Sequence, residues 1–227
     1  MNLIGTLQEN SLHAALKIWY SQPGDRFETI VDGYVIDLVR GDLLIEVQTG
    51  NFSSIKRKLG KLLENHTVRL IYPVPLEKWI LRVAADEITI LGRRKSPKRG
   101  QVSDIFQELV RFPHLVSDPN FSLEVVLIRE EVVWRDDGRG SWRRKGISIA
   151  DRRLLEIVSR FVFFGSDDFR ILIPPGLAQY FTVIELAKAL GQTRFTAGKM
   201  AYCLRKWGVL EIAGKRGRAY VYRVKPQ

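Results

Sequence analysis

Apolar positions recur along this chain with two periods, one helical and one alternating, and their order is informative. Leu12, Ala15, Leu16 and Trp19 are spaced as on one helix face within Leu7 to Trp19, and Pro23-Gly24 follows, which predicts an amphipathic helix. Phe27 to Val31 reads as a strand. Tyr34 to Gln48, YVIDLVRGDLLIEVQ, then sets two β-rich runs on either side of Arg40-Gly41-Asp42, the pattern of a hairpin. A two-residue loop with Gly first suits a type II′ turn, so Arg40 faces Leu43 and, counting outward, Asp37 faces Glu46. Thr49-Gly50-Asn51 breaks the strand. Ser53 or Ser54 is placed to cap a helix with Ile55, Leu59, Leu62 and Leu63 on one face and Lys56, Arg57, Lys58 and Lys61 on the other. Val68 to Val74 is apolar except for Arg69, as expected of a strand central in its sheet.

The remainder carries further strands at Trp79 to Val83 and Glu87 to Leu91, then GRRKSPKRGQ, which holds Arg93, Arg94, Lys95, Lys98 and Arg99 and no acid. Like charges with Gly and Pro read as an exposed loop. Asp104 to Phe112 predicts a short helix, and Leu123 to Ile128 with Val132 to Trp134 a pair of strands. DDGRGSWRRK, Asp136 to Lys145, reads as a linker. A helix is expected over Ile149 to Phe163 from Leu154, Leu155, Val158 and Val162, and Pro174-Pro175-Gly176 ends an apolar strand. Thr182 followed three residues later by Glu185 is a capping-box pattern opening a helix to Leu190. Gly191-Gln192 is a turn, a second helix runs from about Arg194 to Trp207, and VLEIAGKRGRAYVYRV gives two β-rich runs around Gly214 to Arg218. The expected domains are residues 1–145 (core about 5–92, basic loop 92–101, extension 102–135) and 146–227.

Composition narrows the classes. A chain of 227 residues with 45% hydrophobic content can bury a sizeable core, which excludes a disordered or fibrous class. No run approaches the roughly 18 apolar residues of a membrane span, and no basic-then-apolar leader opens the chain, so a soluble cytoplasmic protein without a membrane partner is expected. One cysteine, Cys203, excludes an internal disulfide, and His13, His66 and His114 are too dispersed to suggest zinc. The net charge of +11 favours a polyanionic partner. Residues 148–227 hold 14 Lys/Arg against 6 Asp/Glu, so most of that excess lies at the C-terminal end.

The hairpin carries the chemistry. Directly opposed carboxylates on a sheet have Cβ atoms about 5 Å apart and repel unless neutralised. A divalent cation would neutralise them, because two carboxylates offer the hard oxygens that Mg²⁺ takes while leaving room for water and phosphate. Pairing of Asp37 and Glu46 with Arg40, Lys56 or Arg69 as ordinary half-exposed strand residues is the plainer alternative. Asp37, a short connection, then Glu46-Val47-Gln48 resembles the signature of the PD-(D/E)xK, or restriction-endonuclease-like, nuclease superfamily. Ile36 stands where the motif has Pro and Gln48 where it has Lys. The order helix, strand, hairpin, helix, strand is the αβββαβ core that this resemblance implies.

The resemblance implies an α/β restriction-endonuclease-like core with a mixed sheet. It further implies Mg²⁺ (or Mn²⁺) held by Asp37, Glu46 and the Val47 carbonyl, with Gln48 orienting the attacking water. Gln48 cannot deprotonate that water, because an amide is no general base. Glu9 is the candidate for a first-helix carboxylate facing the metal; a solvated helix-start residue is the equal alternative. Lys56 and the basic loop would contact phosphates, unless they simply form solvated surface.

Helix, turn, helix and a hairpin with a basic tip resembles the winged helix-turn-helix, an α+β domain. That resemblance places Thr193, Arg194, Thr196 and Lys199 nearest the bases and Lys215, Arg216 and Arg218 on phosphate or an adjacent minor groove. Winged helices also serve protein contacts, including dimerisation. The expected function is a metal-dependent DNA endonuclease, with a catalytically inactive DNA-binding protein or transcription regulator as the alternative. A nuclease acting on RNA is less favoured, since no RNP-type aromatic strand is visible. One site per chain cuts both strands most simply as a symmetric homodimer.

Overall fold

The computed structural model describes residues 11–226. It is an α/β fold built on one large mixed sheet. In chain order, α1 (Ser11–Tyr20) is followed by β1 (Arg26–Val31), β2 (Tyr34–Arg40), β3 (Leu43–Val47), α2 (Phe52–Leu62), β4 (Thr67–Ala84) and β5 (Ile90–Lys95). After the short α3 (Phe106–Leu109) come β6 (Phe121–Asp136), β7 (Ile147–Phe163), β8 (Phe181–Thr182), α4 (Val183–Leu190), α5 (Arg194–Lys206), β9 (Leu210–Arg216) and β10 (Ala219–Val224). The large sheet runs β1-β2-β3-β4-β6-β7, with β5 paired to β4, and a second sheet runs β8-β10-β9.

The hairpin register is the one the turn chemistry predicts. Arg40 pairs with Leu43, Val39 with Leu44 and Leu38 with Ile45. Gly41 takes a φ of 54° while Asp42 does not enter the left-handed region, as a Gly-first two-residue turn requires. β3 then pairs in parallel with β4, Glu46 lying beside Leu70. A parallel neighbour needs a crossover, which α2 provides. The strands are near-continuously apolar because both faces are covered: Ile36, Leu38, Leu44, Ile45, Val47, Val68, Leu70 and Ile71 are all buried.

By packing, the chain forms two compact units, and both are discontinuous in sequence. One comprises the described residues up to Asp25, Pro73–Gln101 and Val126–Arg160; the other comprises Arg26–Tyr72, Val102–Val125 and the described residues from Phe161 onward. None of the boundaries between them falls at the expected division between residues 145 and 146. In the second unit, Phe106, Phe163, Phe169 and Trp207 form one aromatic cluster, with Phe163 and Phe169 stacked 4.2 Å apart. The Trp207 indole N–H donates to the Pro113 carbonyl at 2.7 Å, joining α5 to the segment after α3.

Several expectations are corrected. Ile149 to Phe163 is the strand β7 and not a helix. Leu155, Val158 and Val162, expected inward, are exposed at 45%, 39% and 38%. Burial alternates from Ile157 to Phe163, with Phe161 and Phe163 turned inward and Val158 and Val162 outward, a period that pairing beside β6 imposes. Asp136 to Lys145 connects these neighbouring strands and is not a linker. It closes on itself through the Gly140 N–H to Gly146 carbonyl bond, and a side chain at Gly140 would strike the Ile147 carbonyl. Leu123 to Ile128 and Val132 to Trp134 belong to the single strand β6, and Trp79 to Val83 continues β4. The segment before Pro174 is a 3₁₀ turn, not a strand.

On α1 the buried stripe is Leu12, Leu16 and Tyr20, leaving Trp19 half exposed. α2 is not capped by Ser53 or Ser54: Asn51, at φ 52°, is its N-cap residue, and the Phe52 N–H is satisfied by Glu108 Oε2 at 2.9 Å. α4 does carry the expected capping box between Thr182 and Glu185 and ends on Gly191 in the left-handed conformation.

Candidate functional site

Asp37 and Glu46 meet where the β2–β3 ladder leaves off. The Val47 N–H donates to Asp37 Oδ2 at 2.8 Å, so the Asp37 side chain takes a donor from the strand that carries Glu46. Glu46 is 6% exposed. Burial, then the neighbouring Asp37 charge, pushes its carboxyl up to about 7, against the opposing pull of the Lys58 ammonium and the Asp37 backbone N–H.

Lys58 supplies the third member. Its Nζ lies 2.5 Å from Glu46 Oε1 and donates to the Val35 carbonyl at 2.6 Å. On α2, Phe52, Leu59 and Leu62 are buried, and Lys58 sits three residues after Ile55 and four before Leu62. Its position therefore falls inside the apolar stripe. That is the signal that could have separated it from exposed Lys56, Arg57 and Lys61, with which the sequence reading grouped it. The geometry puts an ammonium against the second acidic residue although the residue two places after Glu46 is Gln48. The Gln48 amide instead donates to the Gly50 carbonyl, tying down the turn into α2.

The donor set fits a hard divalent cation in a limited way. Asp37 and Glu46 provide two carboxylates whose repulsion adds to burial in raising the Glu46 pKa, and a cation would relieve that repulsion. Among the described residues there is no group of three or more His, Cys, Asp and Glu side chains able to hold a metal, so water or phosphate oxygens would have to complete the shell. Glu9 lies outside the described residues.

The first part of the expected basic loop, up to Lys95, is strand, and the rest is loop. Arg93, Arg94 and Lys95 belong to β5, which is antiparallel to β4. Arg93 pairs with Glu131 at 2.7 Å, Lys95 with Glu77 at 2.6 Å and Arg99 with Glu77 at 3.4 Å, while Arg94 lies over the Trp134 ring. Glu77 and Glu131 are buried, so the absence of acids within the stretch itself misled: β4 and β6 bring them. Lys98 is exposed.

In α5, Thr193 is the N-cap, its hydroxyl accepting the Thr196 N–H at 3.2 Å. Thr196 is 3% exposed, so it lacks the outward position expected of a base-reading residue, whereas Thr193 is exposed with its hydroxyl engaged in the cap. Arg194 is exposed. Lys199 donates to the Gln107 carbonyl at 3.1 Å and lies 4.4 Å from the centre of the Phe195 ring. At the β9–β10 turn, Lys215 lies over Tyr220, Arg216 pairs with Glu185 at 2.8 Å and Arg218 is exposed beside Gly217. Cys203 is buried, and burial pushes its thiol up to about 12, which makes it inert.

These features define an α/β protein with a mixed sheet, a buried carboxylate beside a half-buried one and countered by a helix lysine, and a C-terminal pair of helices followed by a hairpin. The chain belongs to the family described as a domain of unknown function (DUF8091), whose model matches residues 10–164. That stretch contains Asp37, Glu46 and Lys58 and ends before α4. The chain is also 34% identical to an uncharacterized protein of Treponema pallidum (strain Nichols) over 230 residues, covering 98% of this chain and 88% of the relative. No solved structure matches it. No helix among the described residues is long and apolar enough to cross a membrane.

Proposed function

We propose that this protein is a metal-dependent DNA endonuclease with a restriction-endonuclease-like core and a C-terminal winged helix. The observation that carries the reading is the Asp37–Glu46–Lys58 constellation: two carboxylates meeting across a hairpin, with one ammonium 2.5 Å from the buried one. The observed order α1, β1, β2, β3, α2, β4, with β3 parallel to β4, supports it.

In this reading Asp37 and Glu46 hold Mg²⁺ or Mn²⁺, with the Val47 carbonyl as the resemblance implies. When bound, such an ion supplies Lewis acidity and a water of lowered pKa. Lys58 takes the place that Gln48 leaves without a cation. Its ammonium neutralises charge that builds on the phosphoryl oxygens during attack, a preorganised stabilisation in a partly buried site. Gln48 holds the exit of β3 through Gly50, which keeps Glu46 and α2 in place. Lys56 and Arg57, exposed on α2, meet backbone phosphates. Arg194 on α5, with Lys215 and Arg218 at the hairpin tip, gives the second point of attachment to DNA.

One observation favours a second reading, a DNA-binding protein without catalysis. The Lys58–Glu46 pair already neutralises one carboxylate with no metal needed. Supercoiled, linear, branched and single-stranded DNA incubated with Mg²⁺, Mn²⁺ or EDTA, beside Glu46→Ala, separates the two. Metal-dependent cutting that the variant lacks supports the nuclease. Tight, salt-sensitive binding without cleavage of any substrate supports the second reading.

A further inference from the structure

The winged-helix resemblance gives α5 the task of reading base edges in a duplex, yet its outward face carries two aromatics, Phe195 and Tyr202. A groove of about 820 Å³ runs along α5 and is lined by Arg194, Phe195, Gly198, Lys199 and Tyr202 of the helix and by Tyr222 of β10, among others. Phe195 is 68% exposed and Tyr202 40% exposed. A single exposed aromatic is ordinary, but exposed aromatics gathered along one groove form the kind of contiguous patch that marks a binding surface. Each has a cation at its face: Lys199 Nζ is 4.4 Å from the Phe195 ring centre, and Lys206 Nζ is 6.0 Å from that of Tyr202.

Gly198 sits in mid-helix between the two rings, where glycine costs about 1 kcal/mol relative to alanine. A Cβ there would meet only Val183 Cγ1, at 3.8 Å, so packing does not require glycine. Its effect is to leave the groove floor flat. No carboxylate lines the groove, and residues 148–227 carry 14 Lys/Arg against 6 Asp/Glu. The occupant this chemistry fits is therefore flat, unsaturated and attached to negative charge.

We propose that this groove binds single-stranded DNA, stacking unpaired bases on Phe195 and Tyr202 while Arg194, Lys199 and Lys206 hold the flanking phosphates. The inference rests on the DNA-directed reading above and refines it. α5 selects DNA with an unpaired stretch, and the basic hairpin tip remains the contact to duplex. Base–aromatic stacking tolerates any sequence because every base presents a π-face.

Fluorescence anisotropy of the full-length protein with labelled oligo-dT, a blunt duplex, and the same duplex with a single-stranded tail tests it. Phe195→Ala and Tyr202→Ala are each expected to weaken oligo-dT and tailed-duplex binding about ten-fold and to leave blunt-duplex binding unchanged. Gly198→Leu, which fills the floor, has the same effect. Phe195→Trp restores binding, and its indole fluorescence is quenched by oligo-dT. Circular dichroism confirms that each variant is folded. If wild type binds duplex but all three disruptive variants bind oligo-dT like wild type, this inference falls and the DNA reading stands. If wild type binds none of the three DNAs, both fall.

Discussion

Lys58 Nζ lies 2.5 Å from Glu46 Oε1, so an α2 cation and a β3 carboxylate twelve residues apart in sequence form the centre of the site. Helix α2 is the crossover between β3 and β4, and it turns Lys58 inward, so an ammonium faces Glu46 although the residue two places after it is Gln48.

Lys58→Met removes that cation and keeps the length of the side chain. If the site cleaves DNA, the cleavage rate should fall by about 10²-fold or more, the scale for losing one preorganised donor at developing charge, with DNA affinity unchanged. Single-turnover assays with excess enzyme measure this. A variant that cuts at the wild-type rate would remove Lys58 from the mechanism.

Glu46 makes stability depend on pH in a definite direction. Its folded pKa of about 7 lies above the ordinary value of 4.5, so the folded chain binds the extra proton between these values. The stability this contributes is full below about pH 4.5 and is lost as pH rises through 7, by on the order of 3 kcal/mol. Glu46→Gln cannot ionise, so urea midpoints of wild type should drop between pH 5 and 8 by more than those of the variant. Parallel profiles would show that Glu46 is ionised throughout.

The same proton should compete with metal. Mn²⁺ titrated into the protein and followed by calorimetry should bind more tightly at pH 8 than at pH 6, releasing a proton at the lower pH, and Asp37→Asn should weaken it. Affinity independent of pH would separate Glu46 from any metal site.

At the hairpin tip, Arg216 already pairs with Glu185, whereas Lys215 stacks on Tyr220 and Arg218 is exposed. Lys215→Glu with Arg218→Glu should therefore weaken duplex binding uniformly across sequences and reduce the salt slope by about 2, with Arg216→Glu contributing less. An unchanged salt slope in the double variant would mean that the tip does not meet phosphate.

Thr182→Ala breaks the capping box that opens α4. The expected loss is about 1 kcal/mol, seen in the urea midpoint without a change of slope. No loss would mean that tertiary packing alone holds the end of α4.

The sequence by itself determined what depends on near neighbours. Gly41-Asp42 set the turn and hence the β2–β3 register that brings Asp37 and Glu46 together; Thr182 and Glu185 set the start of α4; Gly191 set its end. These are choices of backbone conformation and short-range hydrogen bonding, made within a few residues. Only the tertiary structure decided that Ile147–Phe163 is a strand, because Leu154, Leu155, Val158 and Val162 fit a helical period that the place beside β6 overrides. Only the tertiary structure matched Arg93, Lys95 and Arg99 with buried carboxylates from β4 and β6, turned Lys58 onto Glu46 and moved Glu46 to about 7. Charge pairing and desolvation act through space, so they depend on which distant residues folding brings within a few ångströms.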